Sequence, residues 1–158
     1  MLTSRKKKLI PPAKIVQRGN RRQIMSDFNK KVIQEFRANN GKVGGHFQGM
    51  DLLLLHTTGA KSGQLRINPT AFYNQKDQYI IAASKGGADS HPDWYHNLIA
   101  NPNVIVEVGK DTFATKADIP AEPERSELYN KLAGKYPIFK EYESKAKRII
   151  PVIKLVRN

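Results

Sequence analysis

The feature that most constrains the fold is a series of strand-like segments joined by turns too short to contain a helix. The leucine-rich run 51–58 is followed by 66–75 (RINPTAFYNQ) and then by 78–87 (QYIIAASKGG), with glycine- or aspartate-containing turns between them. Parallel neighbours would need a crossover of a dozen or more residues, so segments this close must pair antiparallel. We predict that the three form a meander.

The rest of the chain predicts helices and further hairpins. Helices are predicted at 26–41, 91–100, 121–136 and 136–147, and strands at 104–108, 112–119 and 148–156. Five or six hairpin-connected strands without regular β-α-β alternation indicate an α+β fold, an antiparallel barrel or sheet with flanking helices. Small barrels of this kind commonly bind a flat cofactor across their mouth.

Positive charge is concentrated near the start of the 158-residue chain, whose net charge is +13. Residues 1–31 contain ten Lys or Arg and one acidic residue, Asp27, whereas 32–158 contain seventeen and thirteen. We predict a basic N-terminal arm (1–25) and one folded domain (26–158). Such an arm is either a solvated tail or a segment that adheres to anionic lipid or nucleic acid.

Several kinds of chemistry are excluded by composition. The chain has no cysteine, which rules out a disulfide framework, a thiolate zinc site, an iron–sulfur cluster and a cysteine nucleophile. His91 and His96 would lie about 140° apart on a helix, so they are not a metal-ligating pair, and we expect no metal. No segment approaches the ~20 apolar residues of a membrane span, and the start does not resemble a signal peptide. We expect a cytoplasmic location.

The first candidate binding segment is GAKSGQLRINP, residues 59–69, which contains Lys61 and Ser62 in a turn and Arg66 in the following strand. It is not a P-loop, because Leu54 replaces the first glycine and a strand follows instead of a helix. Backbone N–H groups, an ammonium, a hydroxyl and a guanidinium suit a phosphodiester or a carboxylate. The alternative is an ordinary solvated hairpin turn.

The second candidate is the end of the strand YIIAAS, where Ser84 and Lys85 are followed by two glycines. Glycines let a ligand approach the backbone, although a strand exit that merely needs glycine has the same sequence. If both turns lie at one edge of the sheet, Lys61, Arg66 and Lys85 would converge on one polyanion. Ser84 has no G-x-S-x-G context, so a hydrolase triad is not predicted.

Three aromatic residues, Tyr136, Phe139 and Tyr142, recur at three-residue spacing near the C-terminus. On a helix they would lie near one side. They would then form either a face packed on the core or a mobile lid whose rings cover a flat substrate. The spacing does not decide between these interpretations.

Four stretches of the sequence, taken together, are similar to the deazaflavin (coenzyme F420)-dependent nitroreductase and quinone reductase family. They are LLLLHTTGAKSGQLRINP, AASKGGADSHPDWYHNLIANPNV, KYPIFKEY…IIPVI and the upstream EFRANNGKVGGHFQGMDL. The resemblance covers residues 30–156 and not the arm. It implies a split β-barrel of mainly antiparallel strands. It also implies an oxidoreductase that reduces quinones or nitro compounds with reduced coenzyme F420.

The resemblance further assigns site residues. Those implied to hold the F420 phosphodiester and oligoglutamate tail are Lys61, Ser62, Arg66, Asn68 and Pro69. Those implied to lie along the deazaflavin ring and phosphate are Ala82, Ser84, Lys85 and Gly86. The implied substrate-pocket residues are Tyr136 and Tyr142, which with Ser84 are the predicted catalytic residues. Some family members have tyrosine where this chain has Phe139, and some have arginine where it has Ala60.

The predicted reaction is hydride transfer from reduced F420 to a menaquinone-like quinone, or to nitroaromatic or enone surrogates. Ser84 and Tyr136 would donate hydrogen bonds to the oxygen that gains charge. A membrane-bound quinone would explain the arm, by holding the enzyme at the inner face of the cell membrane. The alternatives are a non-catalytic F420 carrier, an FMN- or haem-binding split barrel, and a basic nucleic-acid-binding β-barrel. We expect no nucleic acid partner, and the sequence does not specify an oligomeric state.

Overall fold

The computed structural model describes residues 27–158, which form four α-helices and seven strands. The helices are α1 (27–38), α2 (Asp93–Ala100), α3 (Glu124–Lys135) and α4 (Ile138–Lys145). The strands are β1 (Leu52–Thr58), β2 (Leu65–Ala71), β3 (Tyr73–Gln75), β4 (Gln78–Ala82), β5 (Asn103–Val108), β6 (Asp111–Asp118) and β7 (Val152–Arg157). The predicted basic arm lies outside the described residues.

The strands form one antiparallel sheet in the order β2-β1-β5-β6-β7-β4-β3. β2 and β3 are the two edge strands, yet only Phe72 separates them in the chain. The sheet must therefore curl until its edges meet. The predicted α+β fold with an antiparallel barrel is confirmed.

The predicted meander was only partly right. The segment 66–75 is not one strand, because the chain bends at Phe72. Its first part pairs with β1 and its second part pairs with β4. This bend lets one short stretch of chain serve both edges of the curled sheet, and it raises the strand number to seven.

The uninterrupted leucine run of β1 reflects burial on both of its faces. Leu53 and Leu55 face the inner core, which α2 covers with Trp94. Leu52 and Leu54 face an outer core formed with α1, α3 and α4. Because alternate side chains of a strand point to opposite faces, only a strand buried on both sides is apolar throughout.

β1 and β4 end at the same end of the barrel. Four antiparallel pairings separate them, through β5, β6 and β7, so the two strands run in the same direction. The first turn (59–64, after β1) and the second turn (83–88, after β4) therefore emerge together, as expected from the sequence. α2 lies between them, because it follows the second turn and contacts the first.

Candidate functional site

The first turn is closed by its own backbone. Gly59 N–H donates to Gln64 O at 2.8 Å, and Gly63 N–H donates to Gly59 O at 2.9 Å. A Cβ at Gly59 would collide with Ser62 Oγ, so a larger residue here would have to turn the Ser62 hydroxyl away from the Gln64 N–H. Ser62 Oγ accepts the Gln64 N–H at 3.1 Å, which leaves its proton free to donate, and Lys61 is exposed beside it.

The strand register places the predicted binding residues of β2 on two different faces of the sheet. Arg66 and Asn68 lie opposite inner-face residues of β1, whereas Pro69 lies opposite Leu54 and faces the outer core. Arg66 donates to Gln64 Oε1 at 3.2 Å. Its other N–H groups have no acceptor among residues 27–158. Pro69 is tolerated because β2 is an edge strand.

Asn97 of α2, which the sequence did not single out, holds the first turn in place. Its Nδ2 donates to Thr57 Oγ1 at 3.1 Å, and its Oδ1 accepts the Ala60 N–H at 2.9 Å. The side chain is only 7% exposed, so neither bond can be replaced readily by water. α2 and the first turn are thus fixed relative to one another.

Replacing Asn97 by alanine should loosen the first turn. The part-buried Ala60 N–H and the buried Thr57 hydroxyl would lose their partners, which costs about 1–3 kcal/mol. We expect the unfolding free energy to fall by that amount and exchange of the Ala60 amide hydrogen to accelerate. Asn101→Ala, at an exposed asparagine that ends the same helix, is the matched control. Equal exchange in both variants would contradict this role.

The second turn has an unusual backbone. Three consecutive residues have positive φ: Lys85 at 47°, Gly86 at 64° and Gly87 at 86°. A non-glycine residue in this region is strained, and such strain is often found at functional sites. Ser84 is 8% exposed, and its hydroxyl takes part in none of the hydrogen bonds in the described part of the chain. The Lys85 amine lies 3.3 Å from the hydroxyl of Ser90.

α4 packs directly on the second turn at Gly87. A Cβ on Gly87 would lie 3.0 Å from the carbonyl oxygen of Tyr142 and 3.1 Å from its Cα. The half-buried Tyr142 is thereby held beside the turn that contains Ser84. Burial, and then the charge of Glu141, raises the pKa of the Tyr142 phenol, so it stays protonated and able to donate at neutral pH.

The remaining two residues of the aromatic stripe are core residues. Phe139 is 6% exposed, and its ring meets Tyr142 edge to face at 5.4 Å. Tyr136 is 5% exposed and caps the end of α3, so it is not on α4 with the other two. The core interpretation therefore applies to these two residues, and Tyr142 lies at the rim.

The Tyr136 hydroxyl already has two partners. It accepts the Asp51 N–H at 2.9 Å and donates to Phe72 O at 3.0 Å. These bonds join the start of β1 to the bend between β2 and β3, where the barrel edges meet. The catalytic role predicted for Tyr136 would require the bond to Phe72 to break.

The two histidines near the second turn do not have the predicted helical spacing. α2 begins at Asp93, so His91 precedes it, and its ring lies 5.8 Å from that of His96. Within residues 27–158, no group of three or more His, Asp or Glu side chains is arranged to hold a metal ion.

Three cations at this end of the barrel lack acidic partners. Lys61, Arg66 and Lys85 form no ion pair with any described residue. Unpaired cations in the two turns and at the start of β2, beside free hydroxyls, suit an elongated anion.

Comparison with known proteins identifies related reductases. The family described as F420H(2)-dependent quinone reductase matches residues 28–156. An F420H(2)-dependent quinone reductase of Mycobacterium tuberculosis strain H37Rv is 40% identical over 130 residues, 78% of this chain and 85% of the relative. A solved F420-H2 dependent reductase, FDR-A, has a TM-score of 0.62 and 36% identity, over 71% of this chain and 99% of its own.

More distant structures share the fold. The haem storage protein HutZ of Vibrio cholerae has a TM-score of 0.54 at 15% identity, over 82% of this chain and 90% of its own. At that identity the likeness concerns the arrangement of strands and helices alone.

Proposed function

This chain belongs to the F420H(2)-dependent quinone reductase family, and we propose that it reduces a quinone with reduced coenzyme F420. The observation that carries the proposal is the group of three unpaired cations, Lys61 and Lys85 on the two turns and Arg66 at the start of β2, at the same end of the barrel. The free hydroxyl of Ser84 lies in one of these turns.

The residues present fit this cofactor. F420 is an elongated anion with a phosphodiester and a γ-linked oligoglutamate tail, and unpaired cations are the appropriate partners for both. Lys61, Ser62, Arg66 and Asn68 would hold the tail. A Cβ at Gly86 would meet no heavy atom within 4 Å, so the backbone of the second turn is open to a ligand.

The second turn and its strand would hold the phosphate and the ring. Lys85 supplies the charge for the phosphate. Two apolar residues would support the site without polar contact. They are Ala82, whose methyl group is buried with the residue only 5% exposed, and Pro69, which faces the outer core.

The bound cofactor supplies a hydride from C5. The residues of the chain must then stabilise the quinone oxygen that becomes negative, and donate the proton that completes the quinol. Ser84 belongs to the second turn and Tyr142 to the helix packed on that turn, and neither hydroxyl has a protein acceptor among the described residues. One preorganised donor of this kind lowers a barrier by about 3 kcal/mol.

We assign Tyr136 to positioning. Its hydroxyl joins Asp51 to Phe72 and so holds the barrel edges together. The ring centres of Tyr136 and Phe139 are 6.3 Å apart, and the Phe139 ring in turn packs against Tyr142. Tyr136 therefore also supports the position of Tyr142 through Phe139.

The proposed substrate is a menaquinone-like quinone, with nitroaromatic and enone compounds as surrogates. Phe139 lacks the hydroxyl that some family members have at this position. None of the helices in the described part is long and apolar enough to cross a membrane. Binding of residues 1–25 to an anionic membrane surface remains a prediction, because that segment lies outside the described residues.

The direct test is titration of the purified protein with F420, FMN and haem, followed by anaerobic mixing of the reduced F420 complex with menadione. We expect tight binding of F420 and quinone-dependent oxidation of the cofactor. Binding without turnover would favour the carrier alternative. Preference for FMN or haem would overturn the proposal.

Single substitutions separate the roles of the hydroxyls. Ser84→Ala should lower kcat for menadione roughly 100-fold, with little change in stability, because one donor to the oxygen is lost. Tyr136→Phe should instead lower the unfolding free energy by about 1–3 kcal/mol, because the Asp51 N–H loses its acceptor. The measurements are steady-state kinetics and urea unfolding. A large loss of kcat in Tyr136→Phe at unchanged stability would return the catalytic role to Tyr136.

A further inference from the structure

Arg148, in the segment between α4 and β7, contacts the second turn on both of its sides. Its Nε donates to the carbonyl oxygen of Ala88 at 2.8 Å, and its Nη2 donates to those of Ala83 at 3.2 Å and Ser84 at 3.0 Å. Its Nη1 lies 2.9 Å from His91 Nδ1. A guanidinium only donates, so Nδ1 is the acceptor and the ring proton is on Nε2.

The protonation state of His91 suits this contact. Burial, followed by the charges of Arg148 and His96, lowers the pKa of His91 below its usual value. The ring is therefore neutral at neutral pH, and its Nδ1 lone pair is available to Arg148.

The second turn needs support from outside. Its three residues of positive φ are closed by only two backbone hydrogen bonds, from Gly87 N–H to Ser84 O at 2.9 Å and from Ala88 N–H to Lys85 O at 3.1 Å. A strained conformation persists only where its surroundings determine it. Arg148 supplies such surroundings, because one rigid guanidinium joins the two carbonyl groups at the start of the turn to the one at its end.

Neighbouring contacts align the same segments. The Lys147 N–H donates to Asp89 Oδ1 at 3.0 Å, and the Ala83 N–H donates to Pro151 O at 2.9 Å. Residues 147–151 therefore run alongside 83–91, with the Arg148 side chain between the two ends of the turn.

We propose that Arg148 is a positioning residue of the reductase reaction, which holds the second turn so that the Ser84 hydroxyl and the Lys85 amine face the cofactor and substrate. The inference rests on the proposed function, since the turn is the assigned binding segment. Arg148 acts through the turn, because its contacts are to backbone carbonyls and to His91.

If Arg148 only stabilised the fold, its replacement would have the same effects as the replacement of a comparable arginine elsewhere. Arg125 provides the comparison, because it also donates to a backbone carbonyl near β7, that of Ile150 at 2.8 Å, and its side chain is 12% exposed. Its other partners are Glu122 and Ser126, and its guanidinium lies 5.5 Å from the centre of the Tyr129 ring. None of these residues belongs to the second turn. Arg125→Met removes a comparable set of hydrogen bonds, one of them to the same 147–151 segment, but none to the second turn itself.

The test compares Arg148→Met, Arg148→Lys and Arg125→Met with the unaltered full-length protein. Amide hydrogen exchange of Gly87 and Ala88 is measured without cofactor, F420 dissociation constants are measured by fluorescence titration, and melting temperatures give the loss of stability. For Arg148→Met we expect at least tenfold faster exchange and at least tenfold weaker F420 binding. For Arg125→Met we expect a lower melting temperature with neither effect.

Arg148→Lys keeps the charge but lacks the planar fork that reaches three carbonyl groups and His91 together, so it should show both effects to a smaller degree. This variant decides the matter if the methionine variant does not fold. Wild-type exchange and affinity in the Arg148 variants, or equal changes in Arg125→Met, would overturn the proposal. Failure of the unaltered protein to bind F420 would overturn the proposed function instead, and with it any role of the turn in binding.

Discussion

Replacement of Gly87 by alanine should disrupt both the second turn and the helix packed on it. The added Cβ would lie 3.0 Å from the Tyr142 carbonyl oxygen and 3.1 Å from its Cα, which are backbone atoms that cannot move without α4. The residue would also occupy φ of 86°, which costs an L-residue about 1–2 kcal/mol. We expect the unfolding free energy to fall by more than about 2 kcal/mol, from this strain and the displaced packing.

Activity should fall as well, because Tyr142 moves with α4. A displacement of about 1 Å at a reacting group can reduce a rate about 100-fold. Gly86→Ala is the matched control: its φ is 64°, but an added Cβ would meet no heavy atom within 4 Å. Its unfolding free energy should therefore fall only by the cost of the left-handed backbone, because α4 is not displaced. Equal losses of unfolding free energy in both variants would show that contact between α4 and the turn adds nothing to stability.

The double replacement Lys61→Gln and Arg66→Gln should weaken F420 binding by about 100-fold, equivalent to about 1.4 kcal/mol for each lost charge. Both side chains are exposed, and neither has an acidic partner in the described part, so folding should be little affected. The dissociation constant of the double variant should also depend less on salt than that of the wild type, because exposed charges are screened. Fluorescence titration at several salt concentrations provides the measurement.

Two controls make this result specific. Lys110→Gln removes an exposed charge in the turn between β5 and β6, at the end of β1 opposite the first turn, and should change the affinity less than twofold. A deazaflavin fragment without the phosphate and glutamates should bind the double variant and the wild type equally. If the double variant binds intact F420 as tightly as the wild type, the tail is held by other residues.

Much of the local architecture could be predicted from the sequence. Glycine-rich turns and the spacing of apolar residues identified most of the elements, because these signals act between residues close in the chain. The break at Phe72 was missed, since 66–75 has the composition of one strand. The bend follows from closure of the sheet, which involves both of its edges and leaves no local signal.

Residues that support the candidate site were also missed. Asn97 is 37 positions from Ala60, and Arg148 is 64 positions from Ser84. Both are single polar residues in ordinary segments, and their contacts arise only when α2 and the segment before β7 pack beside the two turns. Sequence periodicity carries no information about such pairs.

The sequence by itself determined the antiparallel class of the fold and the chemical character of the candidate site, because short connections and residue types are properties of the chain. Only the tertiary structure decided which hydroxyl groups are available at the barrel end. Tyr136 and Tyr142 are both tyrosines of one stripe, but the Tyr136 proton is donated to Phe72 O, whereas Tyr142 lies beside the second turn without such a bond. The availability of a proton depends on the neighbours that folding supplies.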